Sequence, residues 1–258
     1  MTIFQSLILG IVEGATEFLP ISSTGHLILA SSLLGVIQSD FTKTFEIAIQ
    51  LGAILAVVAI YWKSFFDFEL LKKLVAAFIP TGVIGLALYH IEKTYLLGNE
   101  FIVLASLFLG GIILIVFEYY QGKKEDVAAE LPPAPLTYRQ AIAVGFAQAV
   151  AIIPGVSRSG ATIVGGVALG LARPVIVEFS FLLAVPTMLA ATGLSLLKTS
   201  ASFTPHEWLA LAVGFVVSFL VAWPSVKWLL SYVRRHSFTS FGLYRILLSL
   251  AFAAWLFL

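Results

Sequence analysis

The sequence contains no cysteine and few charged residues. Asp, Glu, Lys and Arg make up 11% of its 258 residues, against roughly 25% in an average soluble domain. The lack of cysteine excludes a disulfide framework and thiolate chemistry. The scarcity of charge, with a mean hydropathy of +1.01, excludes an ordinary soluble domain. The formal net charge of +1 indicates no partner, and we predict none among nucleic acids.

Long apolar stretches dominate the composition instead. Several approach the roughly 20 residues that cross the hydrocarbon core of a bilayer. They lie at about 45–62, 74–91, 101–117, 175–197, 208–226 and 243–258. The pattern predicts an all-α polytopic membrane protein with about six full spans, in which residues 1–258 form a single domain surrounded by the lipid bilayer.

A hydrophilic loop, residues 121–138, divides the chain almost in half. At an offset of 135 residues the two halves resemble each other. Between residues 9–35 and 144–170 the identical pairs are Gly10 and Gly145, Ser22 and Ser157, Gly25 and Gly160, Ile28 and Ile163, Leu34 and Leu169, and Gly35 and Gly170. The sequence therefore predicts two repeats, at about 1–120 and 139–258.

Each repeat begins with helices too short to span a membrane. Apolar helices predicted at 3–18 and 139–153 stop at a Pro/Ser/Gly break, and second short helices follow near 24–36 and 160–171. This pattern predicts one re-entrant helical hairpin in each repeat. Irregular backbone is tolerated at membrane depth only when it is buried in protein or lines a cavity. Paired breaks of this kind indicate a site near the midplane.

The distribution of basic residues predicts the orientation. With both termini outside, most of them fall on the cytoplasmic side, as the positive-inside rule requires, and only Lys43, Lys93 and Lys198 fall outside. The predicted cytoplasmic residues are Lys63, Lys72, Lys73, Lys123, Lys124, Arg139, Arg173, Lys227, Arg234, Arg235 and Arg245. An odd number of spans separates the hairpins, so they enter from opposite faces and the repeats are inverted.

Glu13 and Glu17 are the only formal charges in the first 39 residues. Their i, i+4 spacing places both on one helix face, and a charge at bilayer depth costs roughly 2.5–3.5 kcal/mol. Two adjacent carboxylates repel each other, so either one is protonated or a cation lies between them. Mg²⁺ and Ca²⁺ prefer such oxygen ligands. The alternative is a protonated acid hydrogen-bonded to a neighbouring helix.

The first break, PISSTGHL, precedes a helix and is rich in polar groups. One of its hydroxyls is explained by an N-cap, but three hydroxyls and an imidazole together are not. Free backbone N–H groups at a helix start also bind anions, and His26 can exchange protons near neutral pH. We predict that this segment contacts an anionic substrate through Ser22, Ser23, Thr24, Gly25 and His26.

The second break, PGVSRSGAT, contains Arg158, the only charge between Gln140 and Ala172. Guanidinium binds phosphate through paired hydrogen bonds, so the segment predicts an oxyanion cradle. The alternative is an ion pair between Arg158 and Glu13 or Glu17, and the two interpretations are compatible. The predicted cradle consists of Ser157, Arg158, Ser159, Gly160 and Thr162.

Three other polar residues are predicted to support the site. Glu46 and Gln50 lie at i and i+4 on the next span, where they could brace the first hairpin. Gln148 occupies the position in the second repeat that corresponds to Glu13 in the first.

At this point the sequence resembles a known family. EGATE fits an acidic motif [E/Q]-x-x-x-E, and PGVSRSGAT fits a motif P-G-x-S-R-S-x-x-T. With SSTGH between them, these motifs are similar to those of the BacA-type undecaprenyl-diphosphate phosphatases, and the likeness covers the whole chain. The resemblance implies a bacterial plasma-membrane enzyme that releases phosphate from undecaprenyl diphosphate at the outer face. It also implies recycling of the lipid carrier for peptidoglycan, bacitracin resistance and dependence on a divalent cation.

Residues and resemblance together suggest one mechanism. Glu13 and Glu17 hold Mg²⁺ or Ca²⁺, and Arg158 stabilises charge on the transferring phosphoryl group. Ser23 is the preferred nucleophile with His26 as its base, while attack by His26 or by water stays open.

Two alternatives belong to other classes of protein. A polyprenyl-phosphate transporter or flippase also fits an inverted repeat with broken helices. The acid-phosphatase superfamily does not fit, because its downstream histidine and aspartate and its Lys/Arg-Pro motif are missing. A homodimer is possible.

Overall fold

The computed structural model describes residues 1–96, 99–128, 136–199 and 203–257, and within these ranges it contains ten α-helices and no strands. Six of the helices are long and apolar enough to cross a membrane, which confirms the all-α polytopic fold. These six are α3 (Asp40–Ile60), α4 (Phe68–Ile91), α5 (Glu100–Ala128), α8 (Arg173–Thr199), α9 (Pro205–Tyr232) and α10 (Thr239–Phe257). The shorter helices are α1 (Ile3–Thr16), α2 (Ser23–Leu33), α6 (Tyr138–Ala149) and α7 (Arg158–Ala168).

Helices α1 and α6 begin with the same local chemistry. Thr2 caps α1 and exchanges hydrogen bonds with Gln5, and Thr137 and Gln140 form the same capping box at the start of α6. A capping box satisfies two backbone N–H groups that a helix start otherwise leaves free. Each threonine and each glutamine lies 135 residues from its counterpart, so the sequence repeat is matched by a repeated local structure.

Each short helix pair closes into a hairpin. The Gln5 side-chain amide, at the start of α1, donates to the Leu34 carbonyl at the end of α2 over 3.1 Å. The Gln140 amide makes the corresponding 3.1 Å bond to the Leu169 carbonyl. The beginning and the end of each pair therefore lie together, which is the geometry expected of a re-entrant hairpin. The membrane face that each hairpin enters stays a prediction.

The two halves pack into one body because helices of each half contact helices of the other half. Helix α1 packs mainly against α9 of the second half, and α6 packs mainly against α4 of the first half. Helices α3 and α8 contact each other, as do α5 and α10. These contacts carry the break between α1 and α2 and the break between α6 and α7 into the protein interior.

The predicted hydrophilic loop begins later than expected. Helix α5 continues through residues 121–128, which the sequence analysis assigned to the loop. Lys and Glu are good helix formers, so a charged composition did not end the helix. Residues 129–135 lie outside the described residues, and α6 begins at Tyr138.

Candidate active site

The two breaks face each other across a pocket that is lined by several polar side chains and has a cavity volume of about 90 Å³. Helices α3 and α8 complete its wall. The side chains that concern the chemistry are Glu17, Ser22, Ser23, Thr24, Gln50, Ser157 and Arg158, and the remaining lining residues are Ala151, Ile152, Ile153, Pro154, Gly155 and Met188. The pocket therefore brings together residues that are far apart in the sequence, as the repeat predicted.

Ser22 and Ser157 cap α2 and α7 in the same unusual conformation. Their φ angles are 70° and 75°, and the hydroxyl of each accepts a hydrogen bond from a glycine N–H, that of Gly25 or Gly160. A positive φ in a residue other than glycine is uncommon. It costs on the order of 1–3 kcal/mol and occurs preferentially at functional sites. Both strained caps lie in the pocket wall.

Glu17 connects the two breaks through both of its carboxylate oxygens. Arg158 Nη2 donates to Glu17 Oε1 over 2.9 Å, and the Ser23 hydroxyl donates to Glu17 Oε2. All three side chains are buried. The ion pair considered as an alternative for Arg158 therefore exists, and it lies within the pocket rather than away from it.

One N–H donor of Arg158 has no hydrogen-bond partner in the described structure. Its Nη1 donates to the Ser180 carbonyl on α8 over 3.0 Å, while the buried Nε–H has no partner among the described residues. A buried donor without a partner is costly. An anion in the pocket would satisfy it.

Glu13 lies one turn before Glu17 and is fully buried. Neither of its carboxylate oxygens has a hydrogen-bond partner among the residues that the structure describes. Buried carboxylates are normally paired or bound to a metal ion, so Glu13 is the residue whose environment most clearly lacks a partner. It does not itself line the pocket.

His26 points away from Ser23. Its Nδ1 donates to the Ser22 carbonyl over 2.7 Å, and its Nε2 lies 2.7 Å from the Tyr244 hydroxyl on α10. The described residues that line the pocket do not include His26. The predicted pairing of Ser23 with His26 is therefore replaced by the pairing of Ser23 with Glu17.

The second break divides into pocket residues and internal braces. The Ser159 hydroxyl donates to the Leu19 carbonyl of the first break over 2.8 Å. Thr162 bonds to the carbonyls of Arg158 and Ser159 and to the Ser180 hydroxyl. Ser159 and Thr162, which were predicted to bind diphosphate, thus hold the breaks in place, and the residues found to line the pocket do not include them.

The three supporting residues have different surroundings. Glu46 accepts a 2.8 Å hydrogen bond from Ser31 of α2, so it braces the first hairpin as predicted. Gln50 lines the pocket directly. Gln148 donates to Thr81 and Thr187 over 3.0 Å each and contributes to the packing around α6.

The sequence analysis missed Arg245. It was predicted to be a cytoplasmic charge, but its side chain is 1% exposed and contacts both breaks. The only available signal was a single arginine inside the apolar stretch at 243–258. A residue so near a helix end is normally assigned to the interface.

The pocket provides groups suited to phosphate chemistry. It contains a buried arginine, a hydroxyl whose proton is directed at a carboxylate, and two helix starts whose dipoles favour negative charge. The described residues contain no cluster of three or more His, Cys, Asp or Glu side chains that could hold a metal ion alone. Any cation bound at Glu13 and Glu17 would therefore need further ligands from substrate or water.

Comparisons with known proteins agree with this chemistry. The family model described as "Bacitracin resistance protein BacA" matches residues 6–251. An undecaprenyl-diphosphatase of Aquifex aeolicus (strain VF5) is 52% identical over 255 residues, which cover 98% of each chain. Proteins of the same name from Wolinella succinogenes and Sulfurihydrogenibium sp. are 51% and 50% identical, each over 99% of this chain and over 99% and 100% of theirs. With a match of this extent, the chain belongs to the BacA family.

Proposed function

We propose that this chain removes the terminal phosphate of undecaprenyl diphosphate, with undecaprenyl phosphate and inorganic phosphate as products. The observation that carries the proposal is the buried cluster of Glu17, Ser23 and Arg158, which joins the two breaks in a polar pocket between apolar helices. Its curated relatives are named for this activity. The reaction returns the lipid carrier to peptidoglycan synthesis and opposes bacitracin.

Ser23 is the nucleophile in this mechanism. Its oxygen attacks the terminal phosphorus while Glu17, which already accepts its hydrogen bond, takes the hydroxyl proton. The bond between this phosphorus and the bridging oxygen breaks, and undecaprenyl phosphate leaves with the electron pair and the proton held by Glu17. Water then attacks the phosphoserine, Glu17 transfers the water proton to the serine oxygen, and inorganic phosphate is released.

Arg158 stabilises the charge that develops on the transferring group. Its Nε–H is available, and a second donor is already held in place by Glu17. The helix starts of α2 and α7 add positive dipole ends at Ser22 and Ser157. Such preorganised donors are the largest contribution to catalysis of phosphoryl transfer. Thr24 and Gln50 lie in the same wall, within the surface that the bound diphosphate would meet.

A divalent cation, Mg²⁺ or Ca²⁺, fits beside these residues. Glu13 has two free oxygens, and the carboxylate of Glu17 retains lone pairs in addition to those used by Arg158 and Ser23. Magnesium sites often use one or two carboxylates and complete the shell with substrate phosphates and water. When bound, the cation neutralises negative charge on the diphosphate.

Glu13→Gln is expected to lower the affinity of the enzyme for its divalent cation without abolishing hydrolysis. The amide keeps the size of the side chain but loses its charge, so the Mg²⁺ concentration for half-maximal activity should rise about 10–100-fold. Titration of chelator-treated enzyme with Mg²⁺ or Ca²⁺ measures this shift. Glu46→Gln is the matched control, because Glu46 is a half-buried acid whose bond from Ser31 an amide can still accept. A similar shift in both variants would argue against Glu13 as a ligand.

The activity itself is tested with the purified chain in detergent. Wild-type protein should release phosphate from undecaprenyl diphosphate, and Glu17→Gln should reduce kcat about 100-fold, the lower end of the range for loss of a general base. Glu178→Gln removes a half-buried acid outside the pocket and should stay near wild type. A transporter would bind the lipid without releasing phosphate, so the absence of release would contradict the proposal.

The active site opens to the outer face in this proposal, with both termini outside. Because the chain has no cysteine, single cysteines report accessibility without background. Gln38→Cys, between α2 and α3, should react with an impermeant maleimide in intact cells. Phe66→Cys, between α3 and α4 and 73% exposed, should react only after permeabilisation. The opposite labelling pattern would invert the topology.

A homodimer is also part of the proposal. The single chain has a mass of 27.9 kDa. Light scattering of the purified protein, corrected for detergent, should give twice this mass, and a value for one chain would contradict it.

A further inference from the structure

Arg245 of α10 has the largest fully buried side chain in the described part of the structure and is 1% exposed. All five of its N–H groups donate to backbone carbonyls. Nε donates to Leu107 over 3.3 Å, Nη1 to Pro20 and Val156 over 3.2 and 3.1 Å, and Nη2 to Ser106 and Gly155 over 2.9 and 2.8 Å. The donor capacity of a guanidinium is five, so it is fully used, and none of these bonds goes to a carboxylate.

The accepting carbonyls lie in three separate segments. Pro20 belongs to the first break, two residues before Ser22, and Val156 directly precedes Ser157 in the second break. The third segment is the second turn of α5, with Ser106 and Leu107. One planar group thus spans both breaks next to the strained caps. Buried carbonyls of irregular backbone would otherwise lack partners at membrane depth, where no water is present to bind them.

Gly110 of α5 leaves the space that the guanidinium of Arg245 occupies. A Cβ atom at Gly110 of α5 would lie 2.0 Å from Arg245 Nη2. Any side chain at this position would therefore collide with the guanidinium. Gly110 is required for Arg245 to reach the carbonyls, so substitution at either residue should disturb the same contacts.

We infer that Arg245 is a positioning residue of the active site, which fixes the distance between the two breaks. It does not touch the pocket residues' reactive atoms. It acts through Pro20, Gly155 and Val156, whose carbonyls set where Ser22 and Ser157 begin their helices. The inference rests on the proposed function for the role of the breaks. Displacement of reacting groups by about 1 Å can cost about 100-fold in rate.

Disulfide formation between the breaks tests this role independently of catalysis. A Cβ at Gly160 would lie 3.6 Å from the Pro20 Cβ, within the range of a disulfide, and no native cysteine interferes. Pro20→Cys/Gly160→Cys should cross-link efficiently in membranes. Adding Arg245→Gln should slow cross-linking at least about tenfold. Adding Gly110→Ala should have the same effect, and this variant replaces Arg245→Gln in the test if Arg245→Gln does not fold. Arg235→Gln, at an exposed arginine, is the matched control and should change nothing.

Hydrolysis is measured separately in chains that keep Pro20 and Gly160. Arg245→Lys retains a charge but has three donors for five carbonyls, and Gly110→Ala retains the arginine. Both should lower kcat about 10–100-fold with KM within about threefold, and both should elute as monodisperse protein. Unchanged cross-linking, or unchanged kcat in both variants, would overturn the inference. Failure of the proposed function would show differently, as a wild-type chain that cross-links efficiently but releases no phosphate.

Discussion

Replacing Arg158 by lysine is expected to reduce kcat by about 10³-fold, the lower end of the range for an arginine that stabilises phosphoryl transfer. Lysine keeps the charge but not the planar fork. Arg158 uses Nη2 for Glu17 and Nη1 for Ser180, and its Nε is left for the substrate. A single ammonium group cannot occupy these three positions. Phosphate release under saturating substrate measures the loss.

A neutral replacement needs a control for folding. Arg158→Met alone leaves the buried carboxylate of Glu17 without the guanidinium that pairs with it. Breaking a buried ion pair in this way costs about 3–5 kcal/mol. The double variant Glu17→Gln/Arg158→Met removes both charges. We expect it to recover most of the thermal stability and none of the activity. Recovery of activity in the double variant would show that Arg158 acts on stability alone.

The second buried ion pair of the described structure provides the reverse control. Arg173 Nη2 donates to Glu118 over 2.8 Å, and both side chains are buried, away from the pocket. Arg173→Lys should lower the thermal midpoint while kcat stays within about threefold of wild type, since neither Arg173 nor Glu118 lines the pocket. A large loss of kcat in this variant would weaken the contrast on which the Arg158 prediction depends.

The sequence was sufficient for the spans and for the meeting of the two breaks. Apolar stretches of the right length predicted all six long helices, and the 135-residue offset predicted that the break with the two acids and the break with Arg158 would meet. Both inferences depend on patterns that persist along many residues, such as hydropathy and repetition. Local capping chemistry repeated at Ser22 and Ser157 is consistent with that offset.

Such patterns could not predict the direction in which individual side chains point. Ser23 and His26 are three residues apart, which corresponds to neighbouring but distinct positions around α2. Which of them faces the pocket is decided by α10, whose Tyr244 engages the imidazole from more than two hundred residues away in the sequence. Arg245 was misplaced for the same reason, because its acceptors are carbonyls in distant irregular segments, which no residue-type pattern identifies.

Ser23→Ala is expected to abolish turnover, with a loss of at least about 10⁴-fold, since no other hydroxyl is directed at Glu17 in the described part of the pocket. The variant should fold normally, because Glu17 keeps its ion pair with Arg158 and the small cavity lies in a polar pocket open to water. His26→Gln should lose only about 10–100-fold, the scale of a misplaced support. Its imidazole orients the Ser22 carbonyl and has no free nitrogen for the nucleophile.

Trapping the intermediate separates these roles chemically. Rapid acid quench of enzyme mixed with undecaprenyl diphosphate labelled in its terminal phosphate should leave label on the peptide that contains Ser23, located by mass spectrometry. A serine phosphate survives acid, whereas a histidine phosphate is lost in acid and survives in base. Label that is stable only in base would therefore move the nucleophile to His26. Absence of label in both conditions, together with substantial activity of Ser23→Ala, would indicate direct attack by water with Glu17 as its base, because the carboxylate directed at Ser23 would then face the water that replaces its hydroxyl.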